Sequence, residues 1–256
     1  TYYPEHFMAA VLSSELGNTD KIYALIQECS RMDIEVLNPN IQSSDKTFKV
    51  NKESNIEYGL GAIKGVADIF IKHVCSKREN LNFKDLWDFS KKVDIKIGGK
   101  KSLEALSQSG AFDSLAPSRT IAIKCVKDML GENSSNRIES NLKSGDLFSS
   151  IEVDFDPYEK YKNTPELTLT EKLELEKKSL GYYLSGHPVI AINNKIKKIR
   201  TRSINELSNE TKTGSLVCLI NSIRQIKDRK GKPLTFINFN DGTGTMDGTV
   251  TSETLE

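Results

Sequence analysis

Glycine-rich turns at helix entrances are the residues of this sequence best suited to chemistry. The stretch EYGLGAIKGVADIFIKHV, residues 57–74, places three glycines ahead of an apolar run with helical spacing. Gly65 permits a positive φ, so backbone N–H groups are predicted to converge at the N-terminus of a helix starting at Val66. Unpaired N–H groups and the helix dipole both favour an anion, so the stretch predicts a phosphate contact. The predicted contact residues are Lys64, Gly65, Val66 and Ala67.

A second stretch repeats this plan. KSLEALSQSGAFDSL, residues 101–115, has two leucines three residues apart, then a glycine turn, and a later helix is predicted from about Ser118. The predicted contacts here are the turn residues Ser109, Gly110 and Ala111, with Lys100, Lys101 and Arg119 flanking them. The alternative for each turn is a glycine C-cap between packed helices. Two copies favour sequence-independent contact with the backbone of duplex DNA.

Other reactive residue types indicate no catalytic or metal site. Asp154 and Asp156 have the spacing of a metal pair, but they lie in an acidic, proline-containing segment that is predicted to be solvated. The four cysteines are far apart and form no CxxC pair, which favours buried free thiols in a reducing cytoplasm. His187 beside Pro188 is predicted to be a hydrogen-bonded structural residue. No catalytic residue and no metal ligand is therefore assigned.

Composition sets broad limits on class. The 256 residues, 37% hydrophobic and 28% charged, are typical of a soluble globular protein of one large domain or two to three small ones. The net charge of +1 leaves nucleic-acid binding to local basic patches. The absence of a long apolar run argues against membrane insertion and secretion, so we expect a cytoplasmic protein. The chain starts at Thr1, without an initiator methionine, which indicates a piece of a longer protein.

The periodicity predicts a mainly α chain with small β elements. Helices are predicted at 4–16, from Asn18 or Thr19, and from Val66 to about 130, with short strands at 34–37, 47–50 and 56–59. Residues 131–168 have linker composition, and Thr168 with Glu171 predicts a capping box that restarts helix. From Gly214 the period changes to two, which predicts a three-stranded meander. Phe236 and Phe239 then lie on opposite faces of one strand.

The chain as a whole resembles the C-family of bacterial replicative DNA polymerases, the alpha subunits of DNA polymerase III. Residues 1–60 are similar to the late fingers region, YGLGAIKGV and LEALSQSGAFDSL to the tandem helix-hairpin-helix segment, and LGYYLSGHP to the passage into an OB fold. IRQIKDRKGKPLTFINFNDGTGTMDGTV resembles the first half of that OB fold. Ala67 and Phe112 depart from the pattern, because many helix-hairpin-helix motifs carry a second glycine there.

The resemblance implies a multi-domain, mainly α architecture in which a tandem helix-hairpin-helix domain precedes a partial OB-fold β-barrel. The implied segments are the end of the fingers at 1–58, the duplex-binding domain at 59–130 and a linker with a clamp-binding motif at 131–168. A helical connector at 169–213 and the first three strands of the OB fold at 214–256 follow.

The resemblance also implies a function. As part of a DNA-directed DNA polymerase, this region would grip primer-template duplex, while nucleotidyl transfer with Mg²⁺ takes place in a palm domain that nothing here matches. The fragment alone is then expected to be inactive and to carry no cofactor. The implied partners are primer-template DNA, single-stranded template, the sliding clamp (beta subunit) and other replicase subunits. The alternative is a non-enzymatic nucleic-acid adaptor built from the same modules.

Two further sets of site residues follow from the resemblance. SGDLF, residues 144–148, resembles the clamp-binding peptide of the family, with Asp146, Leu147 and Phe148 matching and Ser144 in place of a glutamine. In the OB fold, single-stranded template contacts are expected at Lys227, Arg229 and Lys230, in the first hairpin. At most one of Phe236 and Phe239 is expected to stack bases there, and the other is expected to be core.

Overall fold

The computed structural model describes residues 2–78, 82–130, 156–192, 202–207, 213–227 and 233–251. The chain divides into two compact units, Thr1–Leu184 and Ser185–Glu256. The predicted division into five segments is finer than this and stays a prediction. A single hydrophobic core in the first unit crosses the predicted boundary at residue 58, because Ile56, Tyr58, Leu60 and Ile63 belong to one buried cluster.

The first unit opens with two helices that local signals place correctly. Helix α1 spans Pro4–Ser14, with its proline in the first turn, and helix α2 spans Thr19–Arg31. The side chain of Asn18 caps α2 by accepting a hydrogen bond from the Lys21 N–H at 3.2 Å. Both predicted helices are confirmed.

The short strands are fewer than predicted. Strand β1, Lys49–Val50, pairs antiparallel with strand β2, Ile56–Glu57. The predicted strand at 34–37 is wrong, since within it Val36 makes only an isolated bridge to Ile56. Ile34 and Val36 pack in or against the core instead, and Leu37 donates its N–H to the Ile56 carbonyl at 2.8 Å.

The middle of the first unit is helical. A 3₁₀ turn at Leu60–Ala62 precedes helices α3 (Asp68–Arg78), α4 (Leu86–Lys92), α5 (Ile95–Ser109) and α6 (Arg119–Leu130). A 3₁₀ turn, and not an α-helix, thus precedes the first glycine turn. The largest fully buried side chains of three of these helices join one core with Ala122, Cys125 and Val126 of α6; they are Phe70, Ile71, Leu86, Phe89, Leu103 and Leu106.

The chain that follows residue 155 runs back along α6. The Tyr161 hydroxyl donates to Asp128 Oδ2 at 2.6 Å, and the Leu167 N–H donates to Thr120 Oγ1 at 3.0 Å. Tyr158 and Tyr161 are buried, so this part of the predicted linker is a packed part of the first unit. Helix α7, Leu169–Leu180, then begins with the predicted capping box of Thr168 and Glu171, which is confirmed.

The second unit carries the predicted meander. A short helix α8, Pro188–Ala191, precedes strands β3 (Leu219–Lys227), β4 (Pro233–Asn240) and β5 (Thr245–Thr251). The sheet order is β3-β4-β5, both pairs are antiparallel, and Gly242 turns the chain between β4 and β5 with a φ of +88°. Mainly helical structure with small antiparallel sheets is therefore confirmed, whereas the OB barrel stays a prediction. Among the described helices, none is both long and apolar enough to span a bilayer.

Candidate nucleic-acid interface

The first glycine turn has the predicted backbone conformation. Gly65 has a φ of +90°, and a Cβ on it would lie 2.8 Å from Lys101 Cε. The positive φ favours glycine, because any other side chain would be strained there and would also displace the lysine stem. The turn and the N-terminal part of α5 are thus in direct contact.

The N–H groups of this turn are already used within the protein. Lys64 N–H donates to the Ser179 carbonyl at 2.8 Å, Ala67 N–H donates to Ser102 Oγ at 3.2 Å, and Val66 N–H approaches the Ile63 carbonyl at 3.4 Å. Of the four N–H groups from Lys64 to Ala67, that of Gly65 has no acceptor among the described residues. The converging N–H groups predicted from the sequence therefore bind α7 and α5, and they do not form an open anion site.

The second glycine turn is a helix C-cap. Gly110 has a φ of +88° and ends α5, and its N–H and that of Ala111 both donate to the Leu106 carbonyl. Ser109, Gly110 and Ala111 are all buried. The prediction that these three residues contact phosphate is wrong, because their N–H groups and surfaces are committed to closing the helix.

Arg119 is also buried and cannot contact a phosphate. Its guanidinium lies between two carboxylates, with Nη2 2.7 Å from Asp113 Oδ2 and Nη1 3.0 Å from Glu176 Oε1. Burial alone lowers the pKa of Arg119, but the hydrogen bonds and charges of Asp113 and Glu176 outweigh it and raise the pKa. Its partner Glu176, 57 residues along the chain, was not foreseen from the sequence.

Three predicted lysines remain exposed around the first turn. Lys101 runs alongside Gly65, and Lys64 projects towards the C-terminus of α7, where its Nζ would lie 2.4 Å from a Cβ placed on Gly181. Lys100 is 75% exposed and stands 3.9 Å from Glu104, one turn along α5. We call Lys64, Gly65, Lys100 and Lys101 the hairpin surface.

Two adjacent glycines that the sequence analysis did not single out, Gly98 and Gly99, lie next to the hairpin surface in the sequence. Gly99 interrupts α5 with φ 63° and ψ 179°, and a Cβ on it would meet open space. Gly98 lies under the Phe70 ring, whose Cδ1 would be 2.6 Å from an added Cβ. The IGGKK sequence at 97–101 carried the signal, because two adjacent glycines inside a helical pattern indicate a break. Lys100 and Lys101 therefore start the regular part of α5.

In the second unit, one phenylalanine of β4 is exposed and the other is packed. Phe236 lies opposite Arg224 on β3 and Thr249 on β5, and 38% of its surface is exposed. Phe239 lies on the other face, where its ring would be 2.7 Å from a Cβ on Gly248. The exposed ring is thus that of Phe236. Lys227 is exposed at the end of β3, whereas Arg229 and Lys230 lie outside the described residues.

The clamp-motif residues Ser144, Asp146, Leu147 and Phe148 also lie outside the described residues. Asp156 is described, and its Oδ1 accepts the Tyr158 N–H at 2.9 Å. In the described part of the chain no group of His, Cys, Asp and Glu side chains is arranged to hold a metal ion.

The remaining residues of reactive type, Cys29, Cys125 and His187, are buried. Burial raises the pKa of the Cys29 and Cys125 thiols to about 11. His187 caps α8 by accepting the Val189 N–H at Nδ1, 3.3 Å away, and burial lowers its pKa against the opposing charge of Asp241. A hydrogen-bonded structural histidine is the role predicted from the sequence.

Comparison with known proteins finds relatives that match this chain along its whole length. A model of the helix-hairpin-helix motif matches residues 33–122. DNA polymerase III subunit alpha of Haemophilus influenzae is 35% identical over 260 residues, covering 100% of this chain and 22% of the relative. The chain belongs to the DNA polymerase III subunit alpha family.

Other relatives agree with this assignment. The subunit alpha of Pseudomonas fluorescens is 33% identical over 97% of this chain, and that of Staphylococcus epidermidis is 29% identical over 97%. The chain spans less than a quarter of the length of these relatives, 23% and 22% respectively. The family match supports a DNA-binding role in replication. The helix-hairpin-helix match includes the hairpin surface.

Proposed function

We propose that the hairpin surface binds the sugar-phosphate backbone of duplex DNA and so holds the primer-template during synthesis by the whole polymerase subunit. The observation that carries the proposal is the contact of Lys101 with Gly65, which brings the exposed lysines of α5 next to the turn that contains Lys64. Lysine side chains, and not the N–H groups of the turn, supply the positive charge. Such contacts go to phosphates, so binding is independent of base sequence.

Nucleotidyl transfer belongs to the whole polymerase in this proposal. Metal ions would stabilise the transferring phosphoryl group at residues outside this chain, with Mg²⁺ as the expected ion. The contribution of the described residues is positioning, because an exposed cationic turn can hold the duplex without taking part in the reaction. The alternative, a free-standing nucleic-acid adaptor, is disfavoured by the match of the whole chain to polymerase subunits.

Binding of a labelled duplex by three forms of the chain tests the proposal. The Lys64→Ala, Lys100→Ala, Lys101→Ala variant is expected to lose affinity for duplexes of unrelated sequence to the same extent. The matched control replaces three exposed lysines on other elements, Lys52, Lys91 and Lys127, which make no ion pair within the described chain. Equal losses in the two triple variants would show that net charge alone, and not the hairpin surface, governs binding.

We also propose that residues 144–148 tether the subunit to the sliding clamp. Two adjacent large apolar side chains, Leu147 and Phe148, stand in a polar segment rich in Ser, Asn and Gly. An extended peptide of this kind gains binding energy by placing its apolar side chains in the pockets of a partner.

The sheet of the second unit is proposed to contact single-stranded template. Phe236 offers an exposed ring for base stacking, and the sequence from Lys227 to residue 232 contains four Lys or Arg residues and one Asp. Aromatic stacking beside a basic groove is how proteins bind single strands without strong sequence preference.

A further inference from the structure

An unpaired carboxylate lies beside the exposed ring of Phe236. Asp247 on β5 is directly opposite Asn238 on β4, and Asn238 is two residues from Phe236 on the same face. Asn221 Nδ2 donates to Asn238 Oδ1 at 3.0 Å, and Asn238 Nδ2 donates to Asp247 Oδ1 at 2.7 Å. These bonds fix the carboxylate in orientation while leaving Oδ2 without a partner among the described residues.

A surface that contacts only phosphates is not expected to carry such a carboxylate. The other described charge on this face is positive, Arg224 opposite Phe236, and it forms no ion pair with Asp247 in the described chain. A carboxylate repels a phosphate, but it is a strong acceptor for the N–H groups of a base. Its place beside the ring therefore points to the base and not to the backbone.

The spacing suits one stacked base. Phe236 and Asp247 are diagonal neighbours on adjacent strands, a relation that places residues roughly 7–8 Å apart, with their Cβ atoms somewhat closer. A base stacked on the ring presents its Watson–Crick edge over about this distance. Guanine is the base whose edge carries two adjacent donors, N1–H and the N2 amino group, and these match the two oxygens of a carboxylate. Thymine places one N–H between two carbonyl oxygens, which the carboxylate repels.

We propose that this face of the sheet prefers guanine in a single strand, stacking it on Phe236 and accepting its N–H groups at Asp247. The inference rests on the proposed single-strand contact and adds base selectivity to it. Arg224 lies opposite the stacked base, where its charge is available to the adjoining phosphate.

Fluorescence anisotropy with the full chain and labelled thymidine dodecamers tests the inference. One oligonucleotide is all thymidine, one has a single central guanosine, and one has inosine there, which lacks the N2 amino group. One guanosine is expected to tighten binding about tenfold, within the range for a bidentate base contact. Inosine should give only part of that gain.

Variants separate the two levels of the proposal. Asp247→Asn should abolish the guanosine gain without weakening binding of the all-thymidine strand, while the control Asp20→Asn, another exposed aspartate, should keep the gain. Absence of the gain in the unmodified chain, or its survival in Asp247→Asn, overturns the guanine preference alone. If Phe236→Ala leaves binding of every oligonucleotide unchanged, the single-strand site itself fails, and the preference with it.

Discussion

At Arg119 the guanidinium lies between a buried carboxylate and a half-exposed one, and this arrangement decides its role. Glu176 is 1% exposed and is held by Arg119 Nη1 and by the Leu184 N–H, 3.0 Å from its other oxygen. A Cβ on Gly110 would lie 2.2 Å from Arg119 Nη2, so the glycine turn and the arginine fit each other. The residue joins α5, α6 and α7 and leaves no donor surface for DNA.

Arg119→Ala is expected to reduce the free energy of unfolding by about 3–5 kcal/mol, because it leaves Glu176 buried without its counter-charge. Asp113→Asn should cost less than about 1 kcal/mol, since that partner is largely solvated. Urea unfolding followed by circular dichroism measures both changes. A stable Arg119→Ala variant that binds duplex more weakly would restore Arg119 to the phosphate contacts and contradict its structural role.

At the scale of elements, α5 is interrupted at Gly99, directly before the two lysines of the hairpin surface. Gly98 allows Phe70 to pack against the chain, and Gly99 adopts a conformation that is essentially restricted to glycine. The regular helix then starts with two lysines, although the helix dipole disfavours cations at that end. An unfavourable local choice of this kind is typical of functional sites.

Gly99→Ala is expected to destabilise the chain by about 1–3 kcal/mol through backbone strain alone, because nothing lies near the added methyl group. Gly65→Ala should also be destabilising through the strain of its positive φ, while the exposed Lys101 side chain can move aside. Gly17→Ala, where a Cβ would meet nothing within 4 Å, is the control and should stay within about 0.5 kcal/mol. Equal thermal shifts for Gly99→Ala and Gly17→Ala would show that the break carries no strain.

Sequence patterns within a few residues predicted helices and strands well. Contacts between residues far apart in the sequence were not predicted. The capping box of Thr168 and Glu171, the Asn18 cap and the meander from β3 to β5 all depend on neighbours in sequence. The false strand at 34–37 and the false phosphate turn at Gly110 depend on what packs against them. Periodicity cannot show that Ser179 and Ser102 accept hydrogen bonds from the N–H groups of the first turn. The proposed phosphate contacts are therefore made by lysine side chains and not by backbone N–H groups.

At the scale of the whole molecule, the two units and residues 144–148 are proposed to act on three partners of one polymerase. The first unit is proposed to hold duplex, the sheet of the second unit to hold single strand, and the apolar pair in the polar segment to hold the clamp. The chain matches 22–23% of the length of its relatives, so these are roles of a region and not of an independent enzyme.

The Leu147→Ala, Phe148→Ala double variant is expected to lose clamp binding. Burying each side chain is worth roughly 1.5–3 kcal/mol, less the cost of ordering the peptide, so the unmodified affinity should be micromolar and the loss large. Calorimetric titration of the sliding clamp into both forms measures the difference. Unchanged clamp binding would exclude the tether, and a large drop in thermal stability would instead assign the pair to the core.

The most direct measurement for the central claim is the salt dependence of duplex binding. The dissociation constant is determined over a series of salt concentrations for the unmodified chain and for the Lys64→Ala, Lys100→Ala, Lys101→Ala variant. Each lost phosphate contact should reduce the slope of log K against log salt by about 0.9, and so by about 3 for the three lysines. Parallel lines for the two proteins would contradict the assignment of the hairpin surface to DNA.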